Sequence, residues 1–186
     1  MTLKEATRVL VRGDGSHMSV IDRQGLRTLF RGDSDSAFNN GVRALVSCGL
    51  LERIAYGVYC NHGASRAGLW EVGEVVRYLR PGHLCYLSYE FALAHVGSIG
   101  QVPFVFTVAT TGKDGRYGTP FGNVEFTRND RNAAEVLDRT VYDSTRQMLF
   151  AHPDMALEDL RCARKAAAEH LVDPDDHAEI VAEWAA

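Results

Sequence analysis

The sequence predicts an α+β protein in two parts, an N-terminal winged helix-turn-helix domain followed by a small mixed α/β domain. Three observations carry that expectation. Between Asp22 and Asn61, two helical patterns joined by a short break run into a two-stranded hairpin. Residues 62–68 are small and polar with two glycines, the composition of a linker. Beyond them, strand-like and helix-like runs alternate, the strongest being residues 102–109, rich in β-branched and aromatic side chains. The boundary is placed at Arg66, giving domains of residues 1–66 and 67–186.

Taken in order, residues 3–11 carry apolar side chains at helical spacing, and residues 18–21 form a short strand that pairs with the hairpin. Asp22 caps a helix whose apolar stripe is Leu26, Leu29 and Phe30, and Arg31, Gly32 and Asp33 break it. Ser34 caps a second helix, in which Phe38, Val42, Leu45 and Val46 recur at helical spacing and Gly49 marks the stop. Residues 50–55 and 58–60 are the hairpin strands, with Tyr56 and Gly57 as the turn. In the second part, residues 69–80 read as a helix ended by Pro81 and Gly82, residues 84–87 as a strand, and Ser88 as the cap of a helix over residues 89–96. Residues 102–109 are expected to be a central strand, 111–116 a turn, 117–121 part of a hairpin, 124–127 a partner strand and 136–142 another extended piece. A helix opens at Pro153, where proline is tolerated, and runs to Leu171. The acidic tail from Asp173 carries one more short helix through Ile180, Val181 and Trp184.

Composition narrows the class. The chain has 186 residues and a net charge of −4, ordinary for a globular protein. Charge is unevenly spread: nine Lys and Arg stand against six Asp and Glu up to Arg66, and eleven against eighteen beyond it. A mildly basic front half suits contact with phosphates, and an acidic back half suits a protein partner or solvent. No apolar run is long enough to cross a bilayer and the first residues lack a secretion signal, so a cytoplasmic location without membrane attachment is expected. Cys48, Cys60, Cys85 and Cys162 are dispersed with no Cys-x-x-Cys pair, which fits reduced thiols.

Two helices across a short turn match the geometry in which the second helix enters the major groove of duplex DNA. Its polar face here is Ser36, Asn39, Asn40 and Arg43. Asparagine suits adenine and arginine suits guanine, while Arg27 and Ser36 suit phosphate. On the hairpin, Arg53 and Tyr56 sit near the turn, placed for the DNA backbone or minor groove, and Tyr59 packs inward. No catalytic chemistry is expected. Gly112, Gly115, Gly118 and Gly122 lack the Gly-Lys-Ser/Thr ending of a phosphate loop, and Cys60 with His62 and His83 with Cys85 are spaced too tightly for structural zinc. His95 and His152 have no nucleophile motif beside them, so no enzyme, cofactor or metal is predicted.

Four stretches together resemble the AbiEi antitoxins of abortive-infection toxin-antitoxin systems: residues 45–59, residues 86–97 (Tyr86-Leu87-Ser88 and on to His95-Val96-Gly97), residues 107–112, and residues 151–159. The resemblance implies a winged helix that binds inverted repeats at its own promoter, with two copies on the DNA, and represses the operon. It also implies a C-terminal domain that antagonises a cognate nucleotidyltransferase toxin, with Tyr86, Ser88, Glu90, Thr110, Pro153, Asp154 and Asp159 as the residues carried over. The chain departs from the family pattern at His152-Pro153-Asp154, where Thr-Pro-Glu is usual. The alternative is a winged-helix regulator with a ligand-sensing second domain and no toxin partner.

Overall fold

The computed structural model describes residues 2–64 and 71–184. The chain is mixed α/β and divides into two compact units, one over Met1–Leu79 with Thr119–Phe121, the other over Arg80–Gly118 and Gly122–Ala186. The boundary expected at Arg66 and the start of the helix expected at Leu69 lie outside the described residues. The helix at Glu71–Leu79 (α4), expected to open the second domain, falls within the first unit.

The first unit runs α1 (Leu3–Arg12), β1 (Val20–Asp22), α2 (Arg23–Leu29), α3 (Asp35–Ser47), β2 (Leu51–Ala55), β3 (Val58–Asn61) and α4. Local chemistry sets the helix starts. Thr2 and Glu5 form a capping box on α1, the Asp22 carboxylate accepts from Gly25 N at 2.7 Å, and Ser34 Oγ accepts from Ala37 N at 3.3 Å. Gly49 ends α3 with φ 77°, and Gly57 makes the hairpin turn with φ 74°, conformations that a β-carbon would strain. The strands form an antiparallel sheet in the order β1-β3-β2, so the short strand expected to pair with the hairpin does so, Ile21 opposite Tyr59. Phe38, Leu10, Ile21, Leu26, Leu45 and Leu51 are its largest fully buried side chains.

The second unit contains β4 (Cys85–Leu87), α5 (Tyr89–His95), β5 (Val105–Thr110), β6 (Gly115–Thr119), β7 (Gly122–Arg128), α6 (Ala133–Asp138), β8 (Thr140–Asp143), β9 (Met148–Ala151), α7 (Pro153–Leu171) and α8 (Pro174–Trp184). Its sheet has the order β6-β7-β5-β4-β9-β8 among the described residues. β5 pairs antiparallel with β4 and parallel with β7, and β4 pairs parallel with β9. Three expectations need correction. β5 is central but begins at Val105, leaving Val102 and Phe104 exposed. The extended piece over 136–142 is a helix, capped by Asn132, followed by the edge strand β8. And β9, where no element was expected, is a strand that pairs with both β4 and β8. α7 bends at Arg164, whose guanidinium joins Glu90 at 2.7 Å and Glu125. Among the described residues no helix is long and apolar enough to cross a membrane.

Candidate functional site

In the first unit the candidate site is the outer face of α3. Phe38, Val42 and Leu45 point into the core. The 3.6-residue repeat then turns Ser36, Asn40 and Arg43 outward as one stripe, all exposed, with Asn39 half-buried beside them. Two arginines of α2 support this face. Arg27 donates to the Asp33 carbonyl and to Asp35 Oδ1, each at 2.8 Å, and Arg23 donates to Asn39 Oδ1 at 2.5 Å. Both guanidiniums lie over the Phe38 ring, 5.0 and 5.1 Å from its centre. On the hairpin, Arg53 donates to the Ala55 carbonyl at 3.1 Å and lies over the ring of Tyr56, which is 91% exposed. A cleft of about 550 Å³ joins these parts, lined by Asp22, Arg23, Arg27, Phe38, Tyr56 and Tyr78.

The sequence-predicted base readers Asn39, Asn40 and Arg43 and the phosphate candidate Ser36 are therefore neighbours on one face, and Arg53 and Tyr56 are neighbours on the turn. Arg27, expected to hold phosphate, is engaged by Asp35 in the free protein. Arg23 was missed, because nothing in the local sequence distinguishes it from other surface arginines of a first helical turn.

The second unit gathers its polar residues inward. Asp159 on α7 is 1% exposed. Its Oδ2 accepts from Tyr86 Oη at 3.0 Å and Ser88 Oγ at 2.7 Å, and its Oδ1 from Asn129 Nδ2 at 2.9 Å and Arg131 Nε at 2.8 Å. Four donors fill a carboxylate's acceptor sites, which is how a buried charge becomes tolerable. Arg131 goes on to Glu135 and Glu158, and Arg139 joins Glu158 and Asp154. Burial works against the charge of Arg131, but Asp159 and Glu158 more than offset it and hold it protonated. Burial and the neighbouring Asp159 charge drive the Tyr86 phenol far above its usual range. Ser88, expected to cap α5 with its side chain, makes no cap bond because its hydroxyl is committed to Asp159. Tyr89, the first residue of α5, is buried with φ 55°, a strained value for a tyrosine.

Of the residues carried over by resemblance, Tyr86, Ser88 and Asp159 thus meet directly, and Asp154 joins the same network through Arg139 and Glu158. Glu90 pairs with Arg164, and Thr110 Oγ1 lies 3.2 Å from Cys85 Sγ, and neither side chain is hydrogen-bonded to Asp159. Pro153 is the buried first residue of α7. Asn129 and Arg131, unpredicted, complete the cluster; they follow β7, and only the fold brings them to α7.

The glycine-bearing loop before β6 turns carbonyls inward. Arg80 donates to the Lys113 carbonyl at 2.9 Å and the Asp114 carbonyl at 3.3 Å, and lies 4.2 Å from the centre of the Phe126 ring. A phosphate loop offers N–H groups in that position, so the polarity is reversed. His62 pairs with Glu52 at 2.9 Å and Cys60 is buried in β3. Among the described residues no group of three His, Cys, Asp or Glu side chains is placed to hold a metal.

The fold is similar to that in the crystal structure of the RV2827C protein from Mycobacterium tuberculosis, with a TM-score of 0.64 and 14% identity, covering 97% of this chain and 70% of that one. No protein-family model and no curated protein matches the chain.

Proposed function

We propose that the first unit is a winged helix that binds duplex DNA, with α2 and α3 as the helix-turn-helix and β2–β3 as the wing. We further propose that the chain is an AbiEi-type antitoxin of the cytoplasm, which represses its own operon and antagonises a cognate nucleotidyltransferase toxin. The observation that carries the DNA half is the stripe Ser36, Asn39, Asn40 and Arg43: its apolar opposite face is spent on the core, and its polar face is open and rich in donors. Donors of this kind match base acceptors and phosphates in the major groove. Inverted repeats would seat two copies, each α3 in a successive groove.

The antitoxin half rests on the family resemblance. It is supported by the way two of the most specific stretches of that resemblance, 86–97 and 151–159, are tied together by Tyr86, Ser88 and Asp159. Its test is co-expression with an adjacent nucleotidyltransferase gene: growth restored by this chain supports the reading, and continued arrest with the chain well expressed removes it. For the DNA half, a mobility-shift titration should give tighter binding to the DNA upstream of the operon than to a scrambled duplex, and equal binding to both removes sequence-specific repression.

A second reading, a regulator whose second unit senses a small molecule, is favoured by one observation. An open cleft of about 650 Å³ in that unit is lined by Tyr89, Asp114, Arg128, Asn129, Arg131 and Cys162. Absence of any toxin gene nearby, with operator affinity that shifts on adding a metabolite extract, would favour it.

A further inference from the structure

The contact between Arg23 and Asn39 decides which base edge α3 can read. Arg23 Nη2 lies 2.5 Å from Asn39 Oδ1, bridging the first turn of α2 to the middle of α3. A guanidinium only donates, so the amide atom turned toward it is the oxygen, and the usual ambiguity between oxygen and nitrogen is settled by chemistry. Arg23 is itself held in place. Its backbone N–H donates to the Gly57 carbonyl at 2.7 Å, and its guanidinium lies 5.1 Å from the centre of the Phe38 ring, a core residue 2% exposed. With the oxygen turned to α2, the amide nitrogen faces the other way, and it makes no hydrogen bond with the described residues.

Asn40 offers a contrast on the same face. Its oxygen meets Arg43 Nη1 at 3.4 Å, a long contact between two exposed side chains that leaves the amide free to turn.

We propose that Arg23 is a positioning residue for base recognition, presenting Asn39 to the major groove as a hydrogen-bond donor, so that Asn39 selects guanine. Guanine offers adjacent N7 and O6 acceptors to one NH2 group, whereas bidentate recognition of adenine needs the amide oxygen turned to the base as well. The proposal rests on the reading of α3 as the helix in the major groove. It replaces the adenine contact that the residue type alone predicts for Asn39.

The experiment is selection from a randomised duplex library, run with the full chain and the variants Arg23→Ala, Arg23→Lys, Asn39→Ala and Asn39→Asp, each checked for folding by thermal unfolding. The wild type should enrich guanine at one position of each half-site. Asn39→Ala and Arg23→Ala should both lose that preference, by about five-fold or more, with the rest of the motif kept, and a further variant carrying both substitutions should lose no more than either single one. Arg23→Lys, which still donates, should keep part of it, and serves if Arg23→Ala does not fold. Asn39→Asp should exchange guanine for cytosine, whose N4 donates to a carboxylate. Adenine at the Asn39 position in the wild type would overturn the proposal. So would an even loss of binding across all sequences in Arg23→Ala with the motif unchanged, which would make Arg23 a phosphate contact and leave α3 as the reading helix. If the wild type enriches no motif at all, the DNA reading itself has failed.

Discussion

In the second unit Asp159 is 1% exposed with both oxygens filled, by Tyr86 and Ser88 on one and by Asn129 and Arg131 on the other. On α3 of the first unit, Ser36, Asn40 and Arg43 are exposed and Asn39 keeps its amide nitrogen unbonded among the described residues. Both clusters draw on serine, asparagine and arginine, so residue type does not separate them. Hydrogen-bond accounting does. Where each donor meets an acceptor inside the protein, the group holds the fold and its loss is felt in stability; where donors are left open, the loss is felt in binding.

The largest effect that would test this contrast is at Asp159. Asp159→Ala leaves Arg131 with its buried carboxylate gone and two hydroxyls unpaired, and should destabilise the protein by about 3 to 5 kcal/mol in urea unfolding. A loss below about 1 kcal/mol would mean that water already serves the cluster. Next, Arg43→Ala should weaken operator binding by about 1 to 3 kcal/mol in a mobility-shift titration if it makes a bidentate base contact. Its unfolding midpoint should stay within about 0.5 kcal/mol of wild type. The reverse pattern would place Arg43 with the structural group.

A smaller effect sharpens the role of Arg27. Its partner Asp35 is 91% exposed, so Asp35→Asn should cost less than about 1 kcal/mol of stability. The freed guanidinium can then neutralise a phosphate, so the slope of log affinity against log salt should steepen by about 0.9. An unchanged slope would mean that Arg27 already reaches the DNA despite Asp35, or never does.

The smallest expected effect is acid dependence at the rim of the buried cluster. Arg139, and then Arg131, hold the Glu158 carboxyl below its usual 4.5. A carboxylate lowered on folding contributes stability that is present above the unfolded value and lost as pH falls through the folded one. Glu158 is half exposed, so the contribution should stay under about 1 kcal/mol. Urea unfolding of Glu158→Gln against wild type should differ at neutral pH and converge on acidification below the carboxylate range; parallel curves would remove Glu158 from the account.

The first unit was largely legible in the sequence because its signals are local. Asp22 and Ser34 bond backbone N–H groups three residues away, and Gly49 and Gly57 adopt positive φ where only a glycine is at ease. The second unit was harder because its decisive partners are remote. Ser88 has the composition of a cap, yet its hydroxyl is claimed by an aspartate 71 residues away. β8 and β9 are four residues each, too short for a periodicity of their own; β9 pairs on the edge that β4 supplies, and β8 on the edge of β9. The apolar run at Val102 continues the β-rich composition of β5, but pairing begins only where β7 starts, at Val105 opposite Asn123. On α3 the residues of the stripe were readable from spacing, while the orientation of the Asn39 amide depends on Arg23, 16 residues earlier and on another helix.

The parallel pairing of β4 with β9 also has a meaning in time. Cys85–Leu87 leaves the ribosome long before Met148–Ala151, its neighbour on that side, and longer still before Asp159. The helices and strands of the first unit precede all of these in the chain, so that unit can complete its core during synthesis while the second unit still waits for its later strands. Through that interval β4 has one edge unpaired, and a nascent chain halted there carries a finished first unit and an open strand.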